Sequence, residues 1–272
     1  GHRNRLRTHA DPRLYCPMDQ WSEFQNKSSL AESSGPIGSD VKEIVSNLYT
    51  EFLNSETENK DVLEKLSSLA SSIAENVVTD IEIFEAKAKE ELADISRLEM
   101  SYAIRSIATL FCIANDFASR KSIYDLTTAT LFMDIGLNDF TNQELETIWR
   151  GEKVDPKLLK AYQQHPSKAH LIATERIKAV NETGLQIILN HHEYNNSKGF
   201  PRGLHTKALV DHVKIVSLAV DVWEILKVGQ LNQNPIALTD AIKIAAQPEL
   251  EPHQRKHAGS VINKIFKHLN IK

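Results

Sequence analysis

From residue 39 to residue 135 the chain contains neither glycine nor proline, the two strongest breakers of regular structure. A run this long, rich in Glu, Leu, Ala, Lys and Ser, suits long helices and little else. Within it Ile73, Val77, Ile81, Phe84, Ala88, Leu92 and Ile95 recur at steps of three or four and mark one apolar helix face. From Asp40 to Glu99 fifteen acidic residues stand against six basic ones, a local charge of −9 within a chain of net −4, so the remainder carries about +5. That balance gives no global positive field to favour nucleic acid or an anionic membrane surface. Nor does any stretch approach the roughly 18 apolar residues that a membrane-spanning helix needs. With 272 residues, 41% apolar and 25% charged, the chain can bury a sizeable core and lacks the signature of disorder.

The first 38 residues read differently. Arg13 to Trp21 is a short aromatic run interrupted by Pro17, and Ser33-Ser34-Gly35-Pro36 reads as a linker. Residues 1–38 are expected to be a tail or the end of a preceding small domain plus linker, with a disordered leader as the alternative. The basic start, Gly1 to Arg5, has no apolar segment after it and is not read as a signal peptide. Two cysteines, Cys16 and Cys112, cannot make a disulfide framework, which fits a reducing, cytoplasmic setting. Residues 39–98 then form a long-helix connector and 99–272 a shorter-helix domain.

In that last domain, Ala103 to Ala114 makes an amphipathic helix ending near Asp116, and a second runs from Ser122 to Ile135, capped by Gly136. Thr141 and Glu144 form a capping-box pattern opening a helix through Trp149. Pro166 is expected to start another, ending between Asn181 and Gly184. Further helices are predicted over 185–192, 206–228, 239–246 and 261–269. No segment after residue 40 alternates apolar and polar residues convincingly, so the fold class is all-α.

Chemistry concentrates at His191-His192-Glu193, at the end of one predicted helix and before a Gly/Pro loop. Neighbouring histidines point about 100° apart along a helix, but where the backbone turns both can converge on a metal. A polar helix terminus favoured by the C-terminal dipole is the alternative. His253 and His257 are four apart and could share a metal, but a solvated basic surface is the leading reading. From His253 to Lys272 no acidic residue stands among Arg255, Lys256, Lys264, Lys267 and Lys272, a run that could receive an acidic partner or phosphates but reads as an exposed helix face. Cys112 reads as an inert core thiol, and Trp149 and Trp223 as packing residues.

The run His191-His192-Glu193, five residues, Gly199-Phe200-Pro201-Arg202-Gly203-Leu204 resembles the signature of the HD-GYP family. Upstream, Met133-Asp134-Ile135-Gly136 falls where that family has its His-Asp pair and glycine, and His165-Pro166 matches its HP. Downstream, Lys214-Ile215 through Asp221 matches its RI…D helix, and Tyr102, three before Arg105, falls at its first histidine. The resemblance spans roughly residues 99–228. It implies a helical HD-domain bundle with two, sometimes three, metal ions. Active members hydrolyse cyclic di-GMP by two-metal catalysis, the ions activating water and neutralising phosphate oxygens.

The departures from that pattern bear on activity. By resemblance, one metal would use the positions of Tyr102 and Met133 with Asp134 and Asp221; the other would use Asp134, His165, His191 and His192. A thioether is a poor ligand for hard divalent ions, and a phenol ionises only near pH 10. The first site thus loses two nitrogen donors, and the residual metal set is Asp134, His165, His191, His192 and Asp221. Leu137 takes the place of a family lysine suited to phosphate, and Phe200 lacks the hydroxyl of the GYP tyrosine. The implied cofactor is one transition metal per chain, iron or manganese rather than zinc, or none. Three readings follow. One is a degenerate HD-GYP protein that binds cyclic di-GMP or a signalling protein such as a GGDEF-type cyclase. Another is an active phosphodiesterase with an altered metal site, its second ion recruited by Asp221 and substrate. The third is a helical scaffold forming a homodimer through the helices of 40–99.

Overall fold

The structure, a computed structural model, describes residues 77–93, 100–177 and 180–272 and a few positions between 64 and 75. The readings for residues 1–38, and most of those for 39–76, lie outside the described residues. The elements are α1 (Ile81–Leu92), α2 (Met100–Ala114), α3 (Arg120–Phe132), a 3-10 turn (Ile135–Leu137), α4 (Asn142–Trp149), α5 (Pro156–Arg176), α6 (Glu182–Asn190), a second 3-10 turn (Thr206–Ala208), α7 (Asp211–Leu231), α8 (Leu238–Ala246) and α9 (Gly259–His268). Among the described residues the β-type pairing is confined to one isolated bridge, Asn196 with His205. The fold is all-α, and no helix among the described residues is long and apolar enough to cross a membrane.

Helix α2 is the hub. Every residue from Tyr102 to Ala114 is buried, as expected for a helix that is apolar nearly all round. It packs most extensively on α7, and also on α1, α3 and α9. The apolar face foreseen before residue 100 meets this core: Val77, Phe84, Ala88 and Leu92 are all buried in it. Cys112 is fully buried there, and burial pushes its thiol up to about 12, far from the reactive thiolate. Trp149 and Trp223 pack edge to face at 5.0 Å between ring centroids.

Helix starts follow local chemistry. Ser119 caps α3 through the Ser122 amide, Thr141 and Glu144 complete a reciprocal capping box on α4, and Asn181 caps α6 through the Gly184 amide.

Two breaker residues act otherwise than the sequence suggests. Pro166 does not open a helix; Asp155 caps α5, Pro156 occupies its first turn, and the helix runs through Pro166 to Arg176. An interior proline orphans the carbonyl four residues back, here that of Tyr162. The His165 ring fills the gap, its Nδ1 lying 2.7 Å from the Tyr162 oxygen. Gly136 does not cap a helix either, because α3 ends at Phe132. Instead the 3-10 turn presses against α5, and a Cβ on Gly136 would stand 2.3 Å from the His165 carbonyl oxygen. The segment 206–228 is also divided, the turn Thr206–Ala208 preceding α7, which starts at Asp211.

Candidate metal centre

Three elements converge on one point. Helix α5 supplies His165, the C-terminal end of α6 supplies His191 and His192, and the turn after α3 supplies Asp134. His191 is the C-cap of α6, so the chain bends away there and the adjacent rings come together at 4.5 Å between centroids. Each of the three histidines offers a ring nitrogen within 4.8 Å of the others, and all are buried. The absent side chain at Gly136 lets the Asp134 turn approach α5, placing Asp134 Oδ1 3.4 Å from His165 Nε2 and 3.7 Å from His191 Nε2.

The ring tautomers follow from the neighbours. His165 Nδ1 faces the Tyr162 carbonyl and His191 Nδ1 faces the Ile188 carbonyl at 2.8 Å. A carbonyl only accepts, so both Nδ1 atoms carry hydrogen, and in the neutral ring each Nε2 presents a lone pair. Those two Nε2 atoms lie 3.0 Å apart. Two lone pairs at that distance repel unless a proton or a cation lies between them. A proton is scarce at neutral pH, because burial lowers His191 to about 4. His192 is lowered well below its ordinary value, first by burial and then by the fields of His191, His165 and Lys256. The buried Asp134 Oδ2 has no hydrogen-bond partner. Three buried imidazoles and an unsatisfied carboxylate oxygen are a donor set that fits one divalent transition metal.

The signature loop builds the wall of this centre. Glu193 is a structural anchor: its two carboxylate oxygens accept the Arg202 and Leu204 amides at 2.6 and 2.7 Å. Arg202 in turn donates to Asn190. Gly199 is required by space, since a Cβ there would stand 2.3 Å from the His192 carbonyl oxygen. The Phe200–Pro201 peptide is cis, and the Phe200 ring stacks on His192 at 4.5 Å and 20°. Leu137 joins an apolar cluster with Leu145 and Tyr162, against which Phe200 packs.

The other sequence-derived positions lie in different surroundings. Tyr102 and Met133 belong to the main apolar core, and the Arg105 guanidinium sits 4.2 Å from the Tyr102 ring centroid. Asp221 faces side chains of its own chain. Its Oδ2 accepts from Lys256 Nζ at 2.9 Å and pairs with His257 Nε2 at 3.0 Å, while its Oδ1 accepts from the Tyr194 hydroxyl at 3.1 Å. Burial alone would raise the Asp221 carboxyl, but His257 and Lys256 outweigh it and hold it below the usual range. One helical turn on, Glu224 accepts from the Tyr162 hydroxyl at 3.2 Å. Burial, reinforced by Asp221, raises Glu224.

Tyr162, Tyr194, Glu224, Lys256 and His257 escaped the sequence reading. Lys256 and His257 correct it: they are not part of a solvated basic face, since His257 is buried and Lys256 is engaged on Asp221. Only the want of acidic residues from His253 onward hinted that these cations find partners elsewhere. A cavity of about 320 Å³ opens beside His165, lined by Gly136, Asp139, Phe140, Glu144, Leu158 and Lys168 among others. Its lysine, Lys168, is paired with Asp139 at the surface.

Comparison with known proteins agrees with this architecture. A family model described as HD domain matches residues 62–253. Among solved structures, the chain is similar to Bd1817, a HDG"Y"P protein from Bdellovibrio bacteriovorus. The TM-score is 0.65 at 17% identity, over 93% of this chain and 81% of that one. A search of curated proteins found no match.

Proposed function

Since the chain belongs to the HD domain family, we propose that it acts as a degenerate HD-GYP protein of bacterial cyclic di-GMP signalling, working by binding, with phosphodiesterase activity lost or strongly impaired. The observation that carries this reading is an asymmetry between two carboxylates. Asp134 keeps Oδ2 unsatisfied while its Oδ1 lies beside the two facing imidazole nitrogens, whereas Asp221 has both oxygens engaged by Lys256, His257 and Tyr194.

On this reading Asp134, His165, His191 and His192 hold one iron or manganese ion, which when bound supplies a Lewis-acid contact for a phosphate oxygen. The chain's own groups do the rest. The Tyr162 and Ile188 carbonyls fix the two imidazoles, and Phe200 and Tyr162 wall off His192 and His165. Tyr102 and Met133, buried in the core, bring no imidazole to a second ion. The family's hydrolytic chemistry needs a pair of ions, so binding outlasts turnover. The ligand is cyclic di-GMP or a protein such as a GGDEF-type cyclase.

Elemental analysis of protein purified without chelator tests this: about one transition metal per chain is expected. Incubation with cyclic di-GMP and manganese or iron should give no turnover that His191→Ala abolishes. Two ions per chain, or such turnover, would overturn the proposal in favour of an active phosphodiesterase with an altered site. Calorimetry with cyclic di-GMP then separates messenger binding from a protein-only partner, which predicts no heat.

A further inference from the structure

Lys256 is not a loosely held surface side chain. It sits in a strap, residues 247–258, that lies against the loop after His192. The Asn195 amide donates to the Lys256 carbonyl at 2.6 Å, and the Asn195 side chain donates to the Pro252 carbonyl at 3.2 Å. The Asn196 side chain reaches the Gln254 carbonyl at 2.9 Å, and Gln247 Oε1 accepts the Lys256 amide at 2.9 Å. Within the strap Arg255 Nε donates to the Leu250 carbonyl at 2.7 Å. With its backbone held at both faces, Lys256 extends its ammonium to Asp221 and passes 4.7 Å from the Tyr194 ring centroid. It is also close enough to contribute to the lowered proton affinity of His192.

A buried carboxylate demands a counter-charge, and leaving one without it is costly. At Asp221 the ammonium meets that demand, and His257 and Tyr194 take the remaining acceptor capacity. A divalent ion approaching Asp221 would have to displace Lys256 against like-charge repulsion, with a hydroxyl hydrogen already pointing at the other oxygen.

We infer that Lys256 is an internal cation that takes the place of a second metal ion at Asp221, so that the centre is a one-metal, one-ammonium pair. The inference rests on the proposed reading for the metal half and is independent of it for the ammonium half. Removing the ammonium leaves Asp221 beside the His257 imidazole, a carboxylate–imidazole pair that a borderline divalent ion favours.

Manganese binding, counted by calorimetry or by free-ion electron paramagnetic resonance on the full chain, tests it. Wild-type protein should saturate at one ion per chain. Lys256→Met and Lys256→Gln, which keep the stem but drop the charge, should each gain one further, weaker site; Lys256→Arg should stay at the wild-type count. In His191→Ala the wild-type ion should be lost, and His191→Ala combined with Lys256→Gln should bind one ion at the Asp221 side. A failure of the proposed metal set alone would appear as zero ions in wild type and one in Lys256→Gln, which still upholds the ammonium's role. Unchanged counts in both neutral variants, or a gain of a site in Lys256→Arg equal to theirs, would overturn it.

Discussion

Replacing Pro166 with alanine separates stability from metal binding in a way that few substitutions can. Proline in a helix interior costs about 3 kcal/mol relative to alanine, through the lost amide and the clash with the preceding turn. In α5 the orphaned acceptor is the Tyr162 carbonyl, and His165 Nδ1 occupies it at 2.7 Å. Pro166→Ala restores an amide hydrogen whose natural acceptor is that same oxygen. The chelator-treated variant should therefore be more stable, by up to about 3 kcal/mol, each kcal/mol raising Tm by roughly 2–4 °C for a domain of this size. The His165 imidazole, no longer the sole donor to Tyr162, loses part of what fixes its tautomer and aim. Loss of an outer hydrogen bond of this kind weakens metal affinity about 10–100-fold. Thermal unfolding in chelator and a manganese titration against a competing chelator read the two effects separately. A variant with unchanged metal affinity would refute the orienting role of the carbonyl, and one with lowered Tm in chelator would refute the claim that the proline is a cost to the fold.

Gly136→Ala places a Cβ 2.3 Å from the His165 carbonyl oxygen, where ordinary contact begins at 3.4 Å. The resulting shift of about 1 Å far exceeds the roughly 0.2 Å tolerance of a metal site, so metal content of the purified variant should fall below a tenth of wild type; full occupancy would contradict the close approach. In metal-stripped protein His191 titrates near 4 rather than 6.5, so the unfolded state takes up the proton first as the pH falls. Stability should be fully present above pH 6.5 and decline towards pH 4 by about 3 kcal/mol from this residue, and denaturant midpoints that stay flat across that range would contradict neutral burial. Glu193→Gln weakens the anchor of two loop amides and should cost about 2 kcal/mol, measured by urea unfolding, while the metal count per chain stays the same; loss of the metal with no loss of stability would instead make Glu193 a ligand.

What the sequence made readable was local. Thr141 and Glu144 are three apart and their reciprocal cap needs nothing else, and the run from His191 to Pro201 holds its histidines, its anchor and its stacking ring within a dozen positions. The all-helical class followed from the want of two-residue alternation after residue 40, with the breakerless run from 39 to 135 pointing to long helices, and both are local signals. The misread breakers show the limit. A proline opens or interrupts a helix according to whether the carbonyl four residues back finds another donor, and a glycine caps or clears space according to what packs against it. For Pro166 and Gly136 both answers involve His165, one through its ring and the other through its carbonyl. Lys256 and His257 lie 35 and 36 positions beyond the carboxylate they serve, a separation at which no periodicity carries a signal.

The two halves of the centre also differ in how each relieves its own electrostatic strain. A lone carboxylate such as Asp221 accepts any positive group that reaches it, so an ammonium from a distant strap satisfies it and leaves no buried charge uncompensated there. Facing Nε2 lone pairs 3.0 Å apart have no such remedy within the two rings, because each ring's own hydrogen is committed to a carbonyl. Substitution on the Asp221 side can therefore proceed with the carboxylate still compensated, whereas on the proposed reading loss of His165 or His191 costs the bound ion a nitrogen donor. On that same proposed reading, one ion between the imidazoles would leave neither half with an uncompensated group.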